Sequence, residues 1–179
     1  MPGATFLEGD RVELCTMEAE DAAFLTEAVN DPAVRQSLGV ADPRSRAHHE
    51  EWIEEEVNGG DGIALLVVAD DEPVGVVSTV WIADRNGHAI LSAWIAADAH
   101  GEGYGSDATT TFIDYLFDEK RMHSVRAEAY ETNEASNALL SSIGLEHVGT
   151  IPEGAFVDGE FVDSHIYSIT ADDWRAQRA

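Results

Sequence analysis

The stretch His100-Gly101-Glu102-Gly103-Tyr104-Gly105-Ser106-Asp107-Ala108 decides how this chain folds. An apolar segment, 90–96, precedes it, and helical spacing after it places Ala108, Phe112, Tyr115 and Leu116 on one face. The order is therefore strand, glycine loop, helix. Glycines at alternate positions allow a tight turn and a close approach to a ligand, and the first turn of the helix offers unpaired N–H groups. We expect a phosphate seat here. The alternative is that the glycines only form the strand-to-helix turn.

Length and composition favour one domain with an ordinary core. The chain has 179 residues, of which 44% are hydrophobic, and a chain of this size buries roughly 70% of its unfolded surface. We expect a single domain over residues 1–179. The sequence has no apolar run of about 18 residues, and its first residues lack the pattern of a signal peptide. We therefore expect a cytoplasmic protein with no membrane partner.

The charge balance is strongly acidic. Ten basic residues against 35 acidic ones give a net charge of −25, and Lys120 is the one lysine. This surface disfavours nucleic acid, because nucleic-acid binding depends on Lys and Arg contacts to phosphate, and we expect no nucleic-acid partner. The acids are spread along the whole chain, which favours adaptation to a salt-rich cytoplasm, as in halophilic proteins. The alternative is attraction of cationic substrates.

Other chemistry is disfavoured by what the sequence lacks. The single cysteine, Cys15, lies in an apolar-alternating segment and is interpreted as a packed thiol. The seven histidines, including the pair His48-His49, show no metal-ligand spacing and are interpreted as solvated or structural, so no metal site is predicted. Gly103-x-Gly105-x-x-Ala108 also fits a dinucleotide-binding pattern. Against that reading, an antiparallel meander precedes the loop and one strand–helix–strand unit follows it.

Alternation and turn signals predict the remaining elements. A first strand is expected over Arg11–Met17, and a helix capped by Thr16 over Ala19–Asn30. Further helices are predicted at about 33–38, 45–57, 106–120 and 134–142, the last capped by Asn133, with Trp174 docking a short tail. Further strands are predicted at 63–69, 73–82, 89–96, 124–130, 145–157 and 161–169. The fold class is α/β (α+β), a mixed, mostly antiparallel central sheet flanked by helices.

The order of these elements and four motifs resemble the GNAT superfamily of N-acetyltransferases, most closely the branch containing the ribosomal-protein alanine N-acetyltransferases. The likeness covers about residues 10–170. The motifs, in chain order, are Asn30-Asp31-Pro32, His100-x-x-Gly103-x-Gly105 with Tyr104 and Asp107-Ala108, Asn133-x-x-Ser136 with Gly144-Leu145, and Gly159-x-x-x-Asp163 with Tyr167.

The resemblance implies an enzyme that moves an acetyl group from acetyl coenzyme A to a primary amine by direct attack. It implies that the cosubstrate lies in a notch where the central strand parts from its neighbour, against the residues Ile95, Ala96, His100, Gly101, Glu102, Gly103, Tyr104, Gly105, Ser106, Asn133 and Asn137. The implied catalytic residues are Ser136 as donor to the leaving thiolate, Asn133, and Glu131 as one candidate base. An acetyl-enzyme through Cys15 is not implied.

Several alternatives stay open on the sequence. The leading acceptor is a protein N-terminal α-amine, followed by a small-molecule amine and by a non-catalytic module that binds coenzyme A or another partner. Asn133 and Ser136 are also explained as a helix cap, and Glu128 or a water chain competes with Glu131 as base. Tyr130 and Tyr167 line an acceptor pocket or belong to the core. His100 and Glu102 remove positive charge from the loop, so weak or salt-dependent cofactor binding is expected. A homodimer is possible.

Overall fold

The computed structural model describes residues 2–179, which divide into two compact units. The first unit comprises residues up to 79 together with 93–112, and the second comprises 80–92 and 113–179. Two strands and one helix therefore contribute residues to both units. The expectation of a single domain over 1–179 stays a prediction.

The first unit carries the N-terminal strands and three short helices. Its elements are β1 (Thr5–Glu8), β2 (Glu13–Cys15), α1 (Ala22–Asn30), α2 (Pro32–Ser37), α3 (Arg46–Trp52), β3 (Ala64–Ala69) and the first part of β4 (Glu72–Ala83). A 3₁₀ turn leads into α1 and a π-helical turn follows α3. β2 pairs antiparallel with β1 and β3, and β3 pairs antiparallel with β4. The unit also holds the end of β5 (His88–Ile95) and the start of α4 (Tyr104–Asp118).

A hydrophobic core unites these elements of the first unit. Leu66 on β3, Leu25 on α1 and Ile53 after α3 are each at most 1% exposed. Cys15 and Met17 lie in the same cluster, so the prediction of a packed thiol is confirmed. Burial also raises the pKa of the Cys15 thiol.

The second unit contains the C-terminal strands. Its elements are the rest of β4, β5 and α4, followed by β6 (Ser124–Tyr130), α5 (Glu134–Ser142), β7 (Glu146–Val157), β8 (Glu160–Thr170) and α6 (Ala171–Arg178). β8 pairs antiparallel with β6 on one side and with β7 on the other. The predicted docking through Trp174 is confirmed, since its side chain is 2% exposed and its indole N–H donates to Asp114 at 2.6 Å.

The strand order confirms the predicted fold class. Along the sheet the strands run β1-β2-β3-β4-β5-β6-β8-β7. β5 and β6 form a parallel pair, whereas β2 pairs antiparallel with β1 and β3, β3 with β4, and β8 with β6 and β7. Helices flank this sheet, as the sequence predicted. Among residues 2–179 no helix has the length and apolarity needed to cross a membrane.

In the N-terminal region one strand was not predicted, and the predicted helix cap is wrong. Thr5–Glu8 is a strand that the sequence reading missed, and it pairs with β2. Thr16 does not cap the first helix, because its hydroxyl accepts the Ala4 N–H at 3.0 Å. The carboxylate of Asp21 accepts the Glu18 N–H at 2.8 Å instead, and so closes the first turn.

Candidate active site

The glycine loop has the backbone conformation that the sequence predicted. Gly101 and Gly103 have φ of +86° and +82°, a region that glycine enters without the Cβ penalty of other residues. Both glycines are exposed. The helix after them begins at Tyr104, two residues earlier than predicted, and its first bond joins the Asp107 N–H to the Gly103 carbonyl at 3.1 Å. The amides of residues 104–106 therefore have no acceptor within the helix.

Arg11 brings a positive charge to this loop. Its Nη1 donates to the Glu102 carbonyl at 3.2 Å, and its Cδ and Nε lie 3.7 Å from the place a Cβ on Gly103 would take. An open space of about 510 Å³ adjoins the loop and is lined by Asp10, Arg11, Gly101, Glu102, Gly103, Ser106, Asp107 and Thr110. No pattern in the sequence marks Arg11 as part of this site, because 91 residues separate it from Glu102.

Asp107 fixes the start of α4 to the turn between β1 and β2. Its carboxylate accepts the backbone N–H groups of Asp10 at 3.1 Å, Arg11 at 2.7 Å and Val12 at 3.0 Å. Hydrogen bonds to an ionised acceptor are the strong ones. Asp107 therefore holds Arg11 beside the loop, and its own charge is compensated by three N–H groups.

Backbone groups at the end of β5 are largely used within the protein. The Ala96 N–H donates to the Val74 carbonyl at 2.8 Å, and the Ala96 carbonyl accepts the Ala99 N–H at 3.0 Å. His100 Nε2 lies 2.8 Å from the Ile95 carbonyl. The His100 ring thus folds back onto the strand. A ligand that donates a hydrogen bond to the Ile95 carbonyl would have to use the second lone pair of its oxygen, because His100 occupies the first.

The parallel pairing of β5 and β6 is short. It covers only residues 88–90 against 124–126, while β6 continues to Tyr130 and stays paired with β8 along its whole length. From residue 127 onward, β6 therefore has no paired residue on β5 in the described structure. A strand edge left open in this way offers N–H and C=O groups to another extended chain.

α5 begins with the predicted cap. Asn133 Oδ1 accepts the Ser136 N–H at 3.1 Å, and Gly144, with φ of +99°, follows the end of the helix. Ser136 is half-buried, and within residues 2–179 its hydroxyl makes no hydrogen bond. Its Oγ is thus available to a ligand, whereas the Asn133 carboxamide oxygen already serves the helix.

Asn137 is engaged by the protein at both ends of its carboxamide. Its Nδ2 donates to the carbonyls of Tyr130 and Asn133, both at 2.8 Å. Its Oδ1 accepts the Tyr167 hydroxyl at 2.8 Å and lies 3.0 Å from His165 Nδ1. These contacts match the two donors and two lone pairs of a carboxamide, so Asn137 clamps α5 to β6 and β8.

The candidate bases differ in their surroundings. Glu131 is exposed and its Oε1 accepts the Asp163 N–H at 3.1 Å. Glu128 is exposed as well and accepts a short hydrogen bond from the buried Ser164 hydroxyl. Burial, and then the nearby Glu128 charge, raises the pKa of Tyr130, so its phenol stays protonated at neutral pH.

A second cavity, of about 330 Å³, lies within the first unit. It is lined by Leu25, Val29, Arg44, His48, His49, Trp52, Val76 and Trp94. His49, one of the histidines interpreted as solvated or structural, is only 6% exposed and lines this cavity. Nothing in the sequence marks His49 as different from His48, because the difference arises from packing against α1.

Comparisons with known proteins identify the family. Residues 11–146 match the family model described as acetyltransferase (GNAT) domain. An uncharacterised N-acetyltransferase, p20, of Bacillus licheniformis is 24% identical over 165 residues, which cover 89% of this chain and 93% of the relative. The [ribosomal protein uS5]-alanine N-acetyltransferase of Escherichia coli is 27% identical over 110 residues, covering 61% of this chain and 57% of its own length.

A solved structure agrees in fold. The spermidine N-acetyltransferase of Vibrio cholerae in complex with CoA and spermine superposes with a TM-score of 0.85 at 18% identity, over 92% of this chain and 98% of that one. The chain belongs to the GNAT acetyltransferase family, because the family model matches residues 11–146, more than half of its length. It is an acetyl-CoA-dependent N-acetyltransferase.

Proposed function

We propose that this enzyme acetylates a protein N-terminal α-amine and that the glycine loop binds the pyrophosphate of acetyl coenzyme A. The observation that carries the cofactor assignment is the loop itself. Gly101 and Gly103 adopt left-handed backbone conformations, the amides of residues 104–106 lack helical acceptors, and Arg11 adds a cation. Glu102 is exposed, and its backbone carbonyl accepts the hydrogen bond from Arg11.

The remaining roles follow the family resemblance. Residues His100 to Ser106 would hold the pyrophosphate, and Ile95 and Ala96 the pantetheine arm, chiefly through the groups that the strand does not already use. Acetyl coenzyme A supplies an activated acyl group whose carbon–sulfur bond breaks as the carbon–nitrogen bond forms. Ser136, whose hydroxyl makes no hydrogen bond within residues 2–179, donates a hydrogen bond to the departing thiolate.

Asn133 and Asn137 act indirectly in this proposal. Asn133 caps α5 and so orients Ser136, while Asn137 ties the same helix to β6 and β8. The amine must lose a proton, and Glu131 or a water chain is the candidate acceptor. Positioning of the amine supplies much of the rate, as in any reaction that brings two substrates together.

The choice of acceptor rests on relatives. The Escherichia coli relative is named for a ribosomal-protein alanine, which supports an N-terminal α-amine. The second candidate is a small-molecule amine, because the Vibrio cholerae structure of the same fold contains spermine. Turnover of peptides that differ in their first residue, set against spermidine, separates the two. Acetylation of spermidine without any peptide would favour the second candidate.

Calorimetric titration tests the cofactor site. Acetyl coenzyme A and free coenzyme A are titrated in low salt and in molar potassium chloride, with wild type, Gly103→Glu and Gly159→Glu. Both glycines have positive φ, +82° and +89°, so both variants carry similar backbone strain, but Gly159 lies in the β7–β8 turn with open space around it. We expect binding to be lost in Gly103→Glu alone. Equal affinity of a folded Gly103→Glu protein would refute the loop assignment.

A further inference from the structure

The cavity lined by Trp52, Trp94, His49 and Arg44, here called the Trp52–Trp94 cavity, has no role in the cofactor site described above. Its walls are mainly apolar or aromatic, and none of its eight lining residues is acidic. The other four lining residues are Leu25, Val29, His48 and Val76. In a chain with 35 acidic residues and a net charge of −25, a cavity without a carboxylate and with a guanidinium is distinctive.

The walls of the cavity are held in place by contacts from α1. Trp94 stacks on Phe24 with ring centroids 5.9 Å apart and an interplanar angle of 20°. This contact fixes the orientation of the indole. A flat apolar wall that is already rigid binds planar groups at a low entropic cost.

His49 presents one open ring nitrogen. The Thr26 hydroxyl donates its one proton to the Ala22 carbonyl at 2.6 Å. Thr26 Oγ1 also lies 3.0 Å from His49 Nδ1, and because the hydroxyl has no second proton, the Nδ1–H of the imidazole must be the donor in this contact. Nε2 of the neutral ring then carries the lone pair. No hydrogen bond within residues 2–179 involves Nε2. Among the described residues, Thr109 Oγ1 is the one side-chain polar atom that is both fully buried and unpaired. The unpaired Nε2 of His49 is therefore accessible. Burial, followed by the His48 and Arg44 charges, lowers the pKa of His49 and keeps it neutral.

Arg44 supplies the charge of the cavity. Its backbone is fixed by Asn30, which accepts the Arg44 N–H at 3.0 Å and donates to the Arg44 carbonyl at 2.7 Å. Its guanidinium lies 3.3 Å from His48 Nε2, and none of the salt bridges within residues 2–179 involves it. Arg44 as a whole is half-buried, and a guanidinium without a carboxylate partner is suited to pair with an anionic group of a ligand.

We propose that the Trp52–Trp94 cavity binds the acetyl acceptor, and that this acceptor is a primary amine carrying a planar apolar group and an anionic group. The planar group lies against the two indoles, the anionic group pairs with Arg44, and His49 Nε2 accepts an N–H of the amine. This inference rests on the proposed acetyl transfer. Trp94 immediately precedes Ile95 and Ala96, which are proposed to hold the pantetheine arm, so the chain itself links cavity and cofactor strand. A polyamine lacks both groups that the cavity offers to bind.

Two matched pairs of probes test the acceptor chemistry. L-Phenylalanine is compared with 2-phenylethylamine, which lacks only the carboxylate. The peptide amide Phe-Asp-Gly is compared with Phe-Asn-Gly, which removes the anion from an N-terminal acceptor. Initial rates of coenzyme A release at saturating acetyl coenzyme A are measured in molar potassium chloride, which screens the overall negative charge. We expect the anionic member of at least one pair to have a kcat/KM about tenfold higher, because its partner lacks the charge-assisted hydrogen bond to Arg44. Arg44 is half-buried, so salt screens this direct contact less than it screens charges in open solvent.

The variant Arg44→Gln assigns this preference to the cavity. We expect it to bring the ratio within each pair to about one while acetyl coenzyme A binding, followed by calorimetry, stays unchanged. Arg46→Gln is the matched control, since it removes the same charge from an exposed side chain that pairs with Glu50 at 2.8 Å. Preference for L-phenylalanine identifies a small-molecule acceptor, and preference for Phe-Asp-Gly identifies an N-terminal one.

Failure of this inference differs from failure of the proposed function. Normal acetyl coenzyme A binding with no preference for either anionic probe, or with a preference that survives Arg44→Gln, would overturn the cavity assignment alone. Faster turnover of spermidine than of every ring-bearing probe would overturn it as well. Absence of acetyl coenzyme A binding by the folded wild type would overturn the proposed function and the inference together.

Discussion

Arg11→Gln removes the one cation that, among residues 2–179, the structure places on the glycine loop. The guanidinium carbon lies 3.9 Å from the position of a Cβ on Gly103, and Nη1 is bonded to the Glu102 carbonyl. A phosphate held by the loop amides would carry its charge roughly 6 Å from this guanidinium, since an N–H···O bond spans about 2.9 Å. Glutamine keeps much of the side-chain length and a donor group but not the charge.

The expected loss of affinity follows from Coulomb's law. Two unit charges about 6 Å apart interact by about 1 kcal/mol at an effective dielectric constant of about 60. The two charges of a pyrophosphate therefore gain about 2 kcal/mol from Arg11, which corresponds to a Kd increase of about 30-fold in the variant at low salt. In molar salt the Debye length falls to about 3 Å, and the expected difference shrinks to a few-fold.

Calorimetric titration with acetyl coenzyme A at low and molar potassium chloride measures both values. Arg11→Lys should stay closer to wild type than Arg11→Gln, because it retains the charge. Arg46→Gln controls for the change in net charge, since its side chain pairs with Glu50 on the surface of α3. Equal Kd values for wild type and Arg11→Gln at low salt would refute the argument that Arg11 compensates for His100 and Glu102.

Four further predictions follow from the same structure. Asp107→Asn should lower the free energy of unfolding, measured by urea titration, by about 2 kcal/mol, because one amide oxygen cannot satisfy three N–H groups. The control Asp118→Asn removes an exposed ion pair and should change this free energy by less than about 1 kcal/mol. Ser136→Ala should reduce kcat by about 100-fold with acetyl coenzyme A affinity retained, and a kcat within twofold of wild type would remove Ser136 from the reaction. The raised pKa of Cys15 means that the folded state keeps the proton longer than the unfolded state, so stability should fall as the pH rises above 9.0, with a flatter decline in Cys15→Ala. The melting temperature should rise from low salt to molar potassium chloride, as screening weakens repulsion among the acids of a chain with net charge −25, and a constant or falling value would contradict salt adaptation.

Patterns local in the sequence predicted much of the fold and part of the site. The glycine loop, the Asn133 cap and the terminal Trp174 were all predicted from residues within a few positions of each other or from a single large apolar side chain. Local signals succeed here because turns, caps and helix starts depend on nearby φ/ψ values and side-chain donors. β1 was missed because a four-residue strand has little periodicity, and its pairing with β2 is what makes it a strand.

Only the tertiary structure decided which distant side chains share a site. Arg11 meets Glu102 across 91 residues, and Asp107 accepts three N–H groups from residues 10–12. His49 differs from His48 because Thr26 on α1 fixes its tautomer and packing buries it. The sequence by itself determined the strand, glycine loop and helix that can bind a phosphate, since their geometry depends on local backbone freedom. The charge at that loop and the chemistry of the Trp52–Trp94 cavity depend on contacts between distant segments, which arise only when the strands pair and the helices pack.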